Sequence, residues 1–251
     1  FKTKENLLRI KNLKIPPNWK NVKIATDETN KIQVIGEDNK NRKQYIYHPL
    51  WTLFAKESKY LKIESLNFEK FLKIINEKSK NSILSKDYII ANMFIIMKDL
   101  NIRVGNEIYF KKNESVGLTT MQKKNFLKNK FFFKGKKGIE HTKILDNNHI
   151  IFINNLIKIP GDSLFKYKEN GIYHKVNSID LNNFLREYVD FNMTCKDIRT
   201  FCANKIYCKK LSELLKNNDP KAKINAIKYT ALQLGNTPKI TKDSYLNPKL
   251  L

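Results

Sequence analysis

Ile102-Arg103-Val104-Gly105-Asn106-Glu107, followed by Asn113-Glu114-Ser115-Val116-Gly117-Leu118-Thr119-Thr120, is the stretch on which the reading of this chain turns. Just upstream, Ser85 with Asp87 caps a helix running through Leu100 that is apolar nearly all round, hence buried. Its apolar run, Tyr88 to Met97, is interrupted only by Asn92 and is roughly half of what a bilayer span needs, so no transmembrane helix is expected. Further back, Phe68, Phe71, Leu72 and Ile75 recur at helix spacing. The first third reads as β with turns: Val22 to Ile24, Ile32 to Ile35 and Lys43 to His48 are strand-like, and Asp27 to Asn30 and Gly36 to Arg42 are turns. Pro49 ends the third strand, and the basic, polar stretch Ala55 to Tyr60 reads as a linker.

Downstream, Tyr109 to Thr120 and Phe131 to Ile153 look strand-like, with turns at Lys136-Lys137-Gly138 and Asp146-Asn147-Asn148. Asp180 starts a helix, and Thr194-Cys195-Lys196-Asp197 is a capping-box pattern that puts Arg199 in a second helical turn. Asp219-Pro220 opens a further helix with Ile224, Ile227, Ala231 and Leu234 on one stripe and Gly235 at its terminus.

The charge balance names a class of partner. The 251 residues carry 48 Lys plus Arg against 24 Asp plus Glu, a formal charge of +24. Such a surplus repels itself and is tolerated most easily when the usual ligand is a polyanion. Gln122 to Lys137 holds seven lysines and no acid, interleaved with Phe126, Phe131, Phe132 and Phe133, which suits elements with one face on a core and the other on phosphates. Cys195, Cys202 and Cys208 match neither a disulfide framework nor a zinc site and read as reduced, intracellular packing residues. The chain opens on Phe1-Lys2-Thr3-Lys4 with no methionine and no leader pattern, which reads as a truncated start and not as a signal peptide.

Common enzyme templates are missing: no Gly-rich phosphate loop, HExxH, CxxC pair or GxSxG occurs, and His48, His141, His149 and His174 lack ligand spacing. No carboxylate cluster for metal-dependent phosphodiester cleavage is evident, so neither ATP nor metal is expected. A phosphodiester can still be attacked if the protein supplies a nucleophile, fixed cations and an acid for the leaving oxygen.

At this point the residues resemble a family. Ile102 to Glu107 and Asn113 to Thr120 look like the signature around the first catalytic arginine of type IB DNA topoisomerases, most closely the poxvirus, bacterial and giant-virus branch. In the family's order, Phe133-Lys134-Gly135-Lys136 with His141 resembles the hairpin of the catalytic lysine, and Lys196 to Thr200 resembles the helix of the second arginine. Leu234-Gly235-Asn236-Thr237-Pro238 with Ser244-Tyr245 resembles the nucleophile segment, and Ile15 to Trp19 with Arg42 to Tyr47 resembles the small amino-terminal domain.

The resemblance implies an α+β protein: a β-rich DNA-binding domain over 1–57, its first strands missing, and a mainly helical catalytic domain with a β-hairpin over 58–251. The two are expected to close as a C-shaped clamp on double-stranded DNA, the catalytic domain sharing the fold of tyrosine recombinases. It further implies a monomer with no cofactor, metal or membrane, working in a bacterial cytoplasm or, for a virus, in the virion or infected cell. Tyr245 would form a 3′-phosphotyrosyl link, Arg103 and Arg199 would hold the non-bridging oxygens, and Lys136 would protonate the leaving 5′-oxygen. Asn236 stands where poxvirus enzymes have a histidine; its amide can donate to a non-bridging oxygen but carries no charge. Gln44, Tyr45, Tyr47 and Tyr109 match DNA-contact positions, whereas Asn106 replaces a base-contacting lysine of poxvirus enzymes.

Bland readings stand beside these. Lys134, Lys136 and Lys137 form a basic turn, Asn236 can cap the preceding helix, Tyr45 and Tyr47 can be packing partners, and His141 reads as structural. A tyrosine recombinase or a non-catalytic basic DNA-binding module are the rival functions.

Overall fold

The computed structural model describes residues 3–81 and 84–251; Phe1 and Lys2, on which the reading of a truncated start falls, lie outside the described residues with Ser82 and Ile83. The chain divides into two compact units, Phe1–Glu64 and Ser65–Leu251.

The first unit holds α1 (Lys4–Asn12), strands β1 (Lys20–Ile24), β2 (Ile32–Glu37) and β3 (Lys43–Tyr47), and most of α2 (Pro49–Ser65). The strands form an antiparallel sheet in the order β1-β2-β3. Val34 is its buried hydrophobic side chain, and a Cβ on Gly36 would lie 2.6 Å from Trp19 Cε3, so the indole needs a glycine in mid-strand. Buried Gln33 closes the β1–β2 loop by donating to the carbonyls of Glu28 and Asn30, and Arg9 ties α1 to the sheet through Ala25 O and Gln33 Oε1. The expected strands are present, but the expected linker at 55–60 lies inside α2. Pro49 ends a strand by opening a helix, where its missing N–H costs nothing, and the polar stretch circles that helix, with Ala55 and Glu57 exposed and Tyr60 buried.

The second unit is mainly helical. It contains α3 (Phe68–Lys78), α4 (Lys86–Leu100), α5 (Glu107–Asn113), α6 (Asn147–Ile157), α7 (Ser178–Phe184), α8 (Cys195–Lys216), α9 (Ala222–Leu234) and α10 (Pro238–Ser244). Strands β4 (Phe126–Leu127), β5 (Lys130–Lys134) and β6 (Glu140–Ile144) make one antiparallel sheet, and β7 (Lys166–Glu169) pairs with β8 (Ile172–Lys175). The core is α4, whose Ile89, Ile90, Ala91, Met93, Phe94, Ile96 and Met97 are all buried, as a helix apolar all round must be. Phe71 of α3 meets Phe94 edge-on at 5.6 Å between centroids, and Phe68 stacks on Phe201 of α8 at 3.7 Å.

Three readings are corrected here. Tyr109 lies in α5 and not in a strand, because Asn106 accepts the amide protons of Ile108 and Tyr109 and starts a helix. The strand expected through Ile153 ends at Ile144; Asp146, read as a turn residue, accepts from the His149 amide and opens α6. On α9 the buried face is Ala222, Ala226, Thr230, Ala231 and Leu234, and Ile224 is exposed.

Candidate active site

The signature stretch folds as a crossing of two backbones. Arg103 and Val104 accept hydrogen bonds from the amides of Leu118 (2.8 Å) and Thr119 (2.7 Å), and the Thr119 hydroxyl adds a second bond to Val104 O at 3.0 Å. A Cβ on Gly117 would lie 2.5 Å from Gly105 Cα and 2.7 Å from Arg103 O, so the strands cross with no room for a side chain. The crossing fixes the base of Arg103, whose Nη2 donates to Asn236 Oδ1 at 2.5 Å.

Arg199 enters from α8. Its helix opens where the Asp197 carboxylate accepts from the Thr194 amide (2.9 Å) and hydroxyl (2.7 Å). The guanidinium is 6% exposed, donating from Nη1 to Asn101 O and from Nη2 to Leu234 O at 2.5 Å. Asn101 is the left-handed cap of α4 and Leu234 the last residue of α9. Two helix C-termini, each the negative end of a helix dipole, thus hold a buried cation that has no carboxylate partner among the described residues. Burial, and then the Arg103 charge, pull its pKa down to about 10.

Tyr245 follows α10, which Thr237 caps by accepting from Ile240 N, with Pro238 at the first helical position. Its ring centroid lies 5.6 Å from Arg199 Cζ. Burial alone would raise the phenol's pKa, but the Arg199 charge and hydrogen bond, Arg103 and the Asn236 amide outweigh it and lower it. Arg199 Nε and Asn236 Nδ2 are buried donors that no well-formed hydrogen bond occupies. Arg103, Arg199, Asn236 and Tyr245, spread over 143 positions of sequence, are therefore brought together.

Lys136 is not brought into this group. It is exposed at the tip of the β5–β6 hairpin, in the short turn Lys136–Gly138, where Lys137 is left-handed. Gln44 is half-buried and donates to Asp38 Oδ2 at 2.9 Å; this carboxylate also binds Arg42 and is held far below the usual range, chiefly by that arginine. Tyr45 and Tyr47 are exposed on one face of β3 with ring centroids 6.1 Å apart, so they are mutual neighbours and open to solvent at once. Tyr109 is exposed on α5.

Two further side chains, Asn204 and Lys143, escaped the sequence reading. Asn204 anchors the chain directly after the tyrosine: its Nδ2 donates to Tyr245 O and its Oδ1 accepts from Asn247 N, both at 2.8 Å. An asparagine inside a long helix was the one available signal. Lys143 donates to Gln233 O at 2.9 Å, and burial followed by the charges of Arg199 and Arg103 lowers its pKa. His141, two residues earlier on the same face of β6, is half-buried and neutral, its pKa lowered to about 4 first by burial and then by Lys143, Arg103 and Arg199. Elsewhere His149 stands between Asp99 (3.3 Å) and Asp146 (3.2 Å), a donor set that could hold a cation and that the spacing of the histidines did not suggest.

Comparison with known proteins gives the following. Residues 52–245 match the family model of the catalytic core of eukaryotic DNA topoisomerase I, and residues 1–38 match that of the N-terminal domain of bacterial DNA topoisomerase IB. A DNA topoisomerase 1B of Acanthamoeba polyphaga mimivirus is 33% identical, covering 97% of this chain and 78% of its own length. DNA topoisomerase 1 of Rabbit fibroma virus (strain Kasza) is 26% identical over 94% of this chain and 78% of its own. DNA topoisomerase 1B of Vaccinia virus (strain Copenhagen) is 26% identical over 86% and 70%.

Proposed function

The chain belongs to the type IB DNA topoisomerase family, and from that premise we propose that Tyr245, Arg103, Arg199, Lys136 and Asn236 carry its reaction. The activity is relaxation of supercoiled DNA: one strand is nicked through a 3′-phosphotyrosyl link, rotates, and is resealed. Tyr245 Oη gives its proton to solvent water and attacks the scissile phosphorus, the P–O5′ bond breaks, and Lys136 protonates the departing 5′-oxygen. Resealing runs the same steps backwards, and the phosphotyrosyl bond conserves the energy, so no nucleotide is consumed.

The observation that carries this assignment is the convergence of two arginines, without carboxylate partners among the described residues, on one tyrosine whose pKa they lower, beside two buried donors left open. A buried cation with no acid is costly until an anion arrives. A phosphate would meet Arg199 Nε and Asn236 Nδ2 there, and guanidinium groups stabilise the charge that develops on a phosphorane. The exposed hairpin tip suits a Lys136 that enters the site with DNA.

The remaining expectations are proposals of the same kind. A DNA-binding domain, read as 1–57, and a catalytic domain with a tyrosine recombinase-like fold, read as 58–251, close as a C-shaped clamp on double-stranded DNA. Gln44, Tyr45, Tyr47 and Tyr109 touch the duplex, and the enzyme acts as a monomer inside a bacterial cell, or in a virion or infected cell. The test is plasmid relaxation in EDTA without ATP, with SDS-resistant DNA adducts scored in parallel. Tyr245→Phe should abolish both; relaxation that survives it overturns the assignment.

A further inference from the structure

His141 lies between two glycines that flank proposed catalytic residues. A Cβ on Gly135, next to Lys136, would lie 2.7 Å from His141 Nε2 and 2.8 Å from its Cδ2. On the opposite edge of the ring, a Cβ on Gly235, next to Asn236, would overlap Cε1 and lie 3.0 Å from Nδ1. The ring stacks on Phe133, with centroids 4.9 Å apart and planes 19° from parallel, and Phe133 faces His141 in the β5–β6 register. Gly235, left-handed at φ +61 as the cap of α9, favours glycine on that ground as well, and at both positions the imidazole plate leaves no room for a side chain.

We propose that His141 is a positioning residue, a wedge that sets the lysine hairpin against the nucleophile segment so that Lys136 reaches the leaving oxygen. The path runs by contact from Lys136 through Gly135, the imidazole and Gly235 to Asn236. Its role is shape and not proton transfer. The ring is neutral at assay pH, since burial and the cations around it disfavour the imidazolium. The inference rests on the reading of Lys136 as proton donor.

The experiment is single-turnover cleavage of two otherwise identical DNA substrates, one with oxygen and one with sulfur at the bridging 5′ position. A thiolate leaves without being protonated, so a defect in proton donation disappears on the sulfur substrate and every other defect persists. His141→Ala should slow the oxygen substrate at least about ten-fold, a fraction of what a general acid supplies, and leave the sulfur substrate within about three-fold of the unaltered enzyme. His141→Phe, which fills the same gap, should stay near the unaltered rate on both and guards against misfolding. Equal slowing of both substrates by His141→Ala, or a His141→Phe as slow as His141→Ala, overturns the inference. Lys136→Ala serves as the control. If sulfur fails to rescue it, the reading of Lys136 falls and this inference with it; if sulfur rescues Lys136→Ala but not His141→Ala, this inference alone falls.

Discussion

Replacing Arg199 with methionine removes the charge, keeps most of the volume, and should separate stability from catalysis. In the folded protein the guanidinium is held by two carbonyls and, among the described residues, by no carboxylate. The depression of its pKa to about 10 corresponds to roughly 3 kcal/mol against the charged form. Because the folded-state value is lowered, that cost is fully present at neutral pH and fades only as pH rises past about 10. Methionine relieves it but strands Asn101 O and Leu234 O, at about 1–3 kcal/mol each. The terms nearly cancel, leaving a net loss of at most about 3 kcal/mol. In a chain of this size that lowers the melting temperature by no more than about 10 °C. Cleavage should fall about 10²–10³-fold or more, the usual consequence of losing one donor to a developing oxyanion. Thermal melting and single-turnover cleavage of a nicked-product substrate read the two effects on one preparation. A variant that unfolds outright, or one that cleaves within ten-fold of the parent, would refute the argument that Arg199 is tolerated by the fold for the sake of the phosphate.

Asn236→Asp should cleave more slowly than Asn236→Ala, because a carboxylate would lock onto Arg103 and repel a phosphate oxygen; single-turnover rates in the opposite order contradict the site. Gly117→Ala presses a methyl onto the backbone of Arg103 and Gly105 and should cost about 1–3 kcal/mol, with cleavage impaired through Arg103; an unchanged melting curve would mean the crossing is loose. In thiol titration of the native protein only exposed Cys208 should react, since burial pushes Cys195 up to about 12 and Cys202 up to about 11; all three should react in denaturant, and a second fast native thiol would count against this packing.

What could be read in the sequence was local. The Ser85 and Thr194 caps, the strand-like runs of β2 and β3 and the all-round apolar α4 each declare themselves within a few residues. The errors came where one residue type serves two local outcomes. Pro49 ends a strand or begins a helix, and Asp146 makes a turn or caps one; Ile108-Tyr109-Phe110 favours a strand until Asn106 captures two of its amides. Resemblance to the family's motifs sufficed to nominate Arg103, Arg199, Asn236 and Tyr245, but the means of holding a buried arginine was invisible. It depends on the ends of α4 and α9 meeting, a tertiary event that no window contains. Asn204 and Lys143 escaped for the same reason, as their partners are main-chain atoms far along the chain.

The amide of Asn204 holds the chain at two points directly after the Tyr245 side chain, the Tyr245 carbonyl and the Asn247 amide, and the residue between them, Leu246, is sunk among Tyr207 and Ala226 with Leu250 and Leu251 packed around them. In a supercoiled substrate the proposed phosphotyrosyl joint is the one point where a severed strand remains attached while torque turns the other end. The fold makes that joint a bracket bolted at two places, with the load passing into α8 and α9 and not into a free loop. A stiff bracket returns the 3′ end to the same place after every revolution, so the accuracy of rejoining depends on the rigidity of the mount as well as on the grip on DNA.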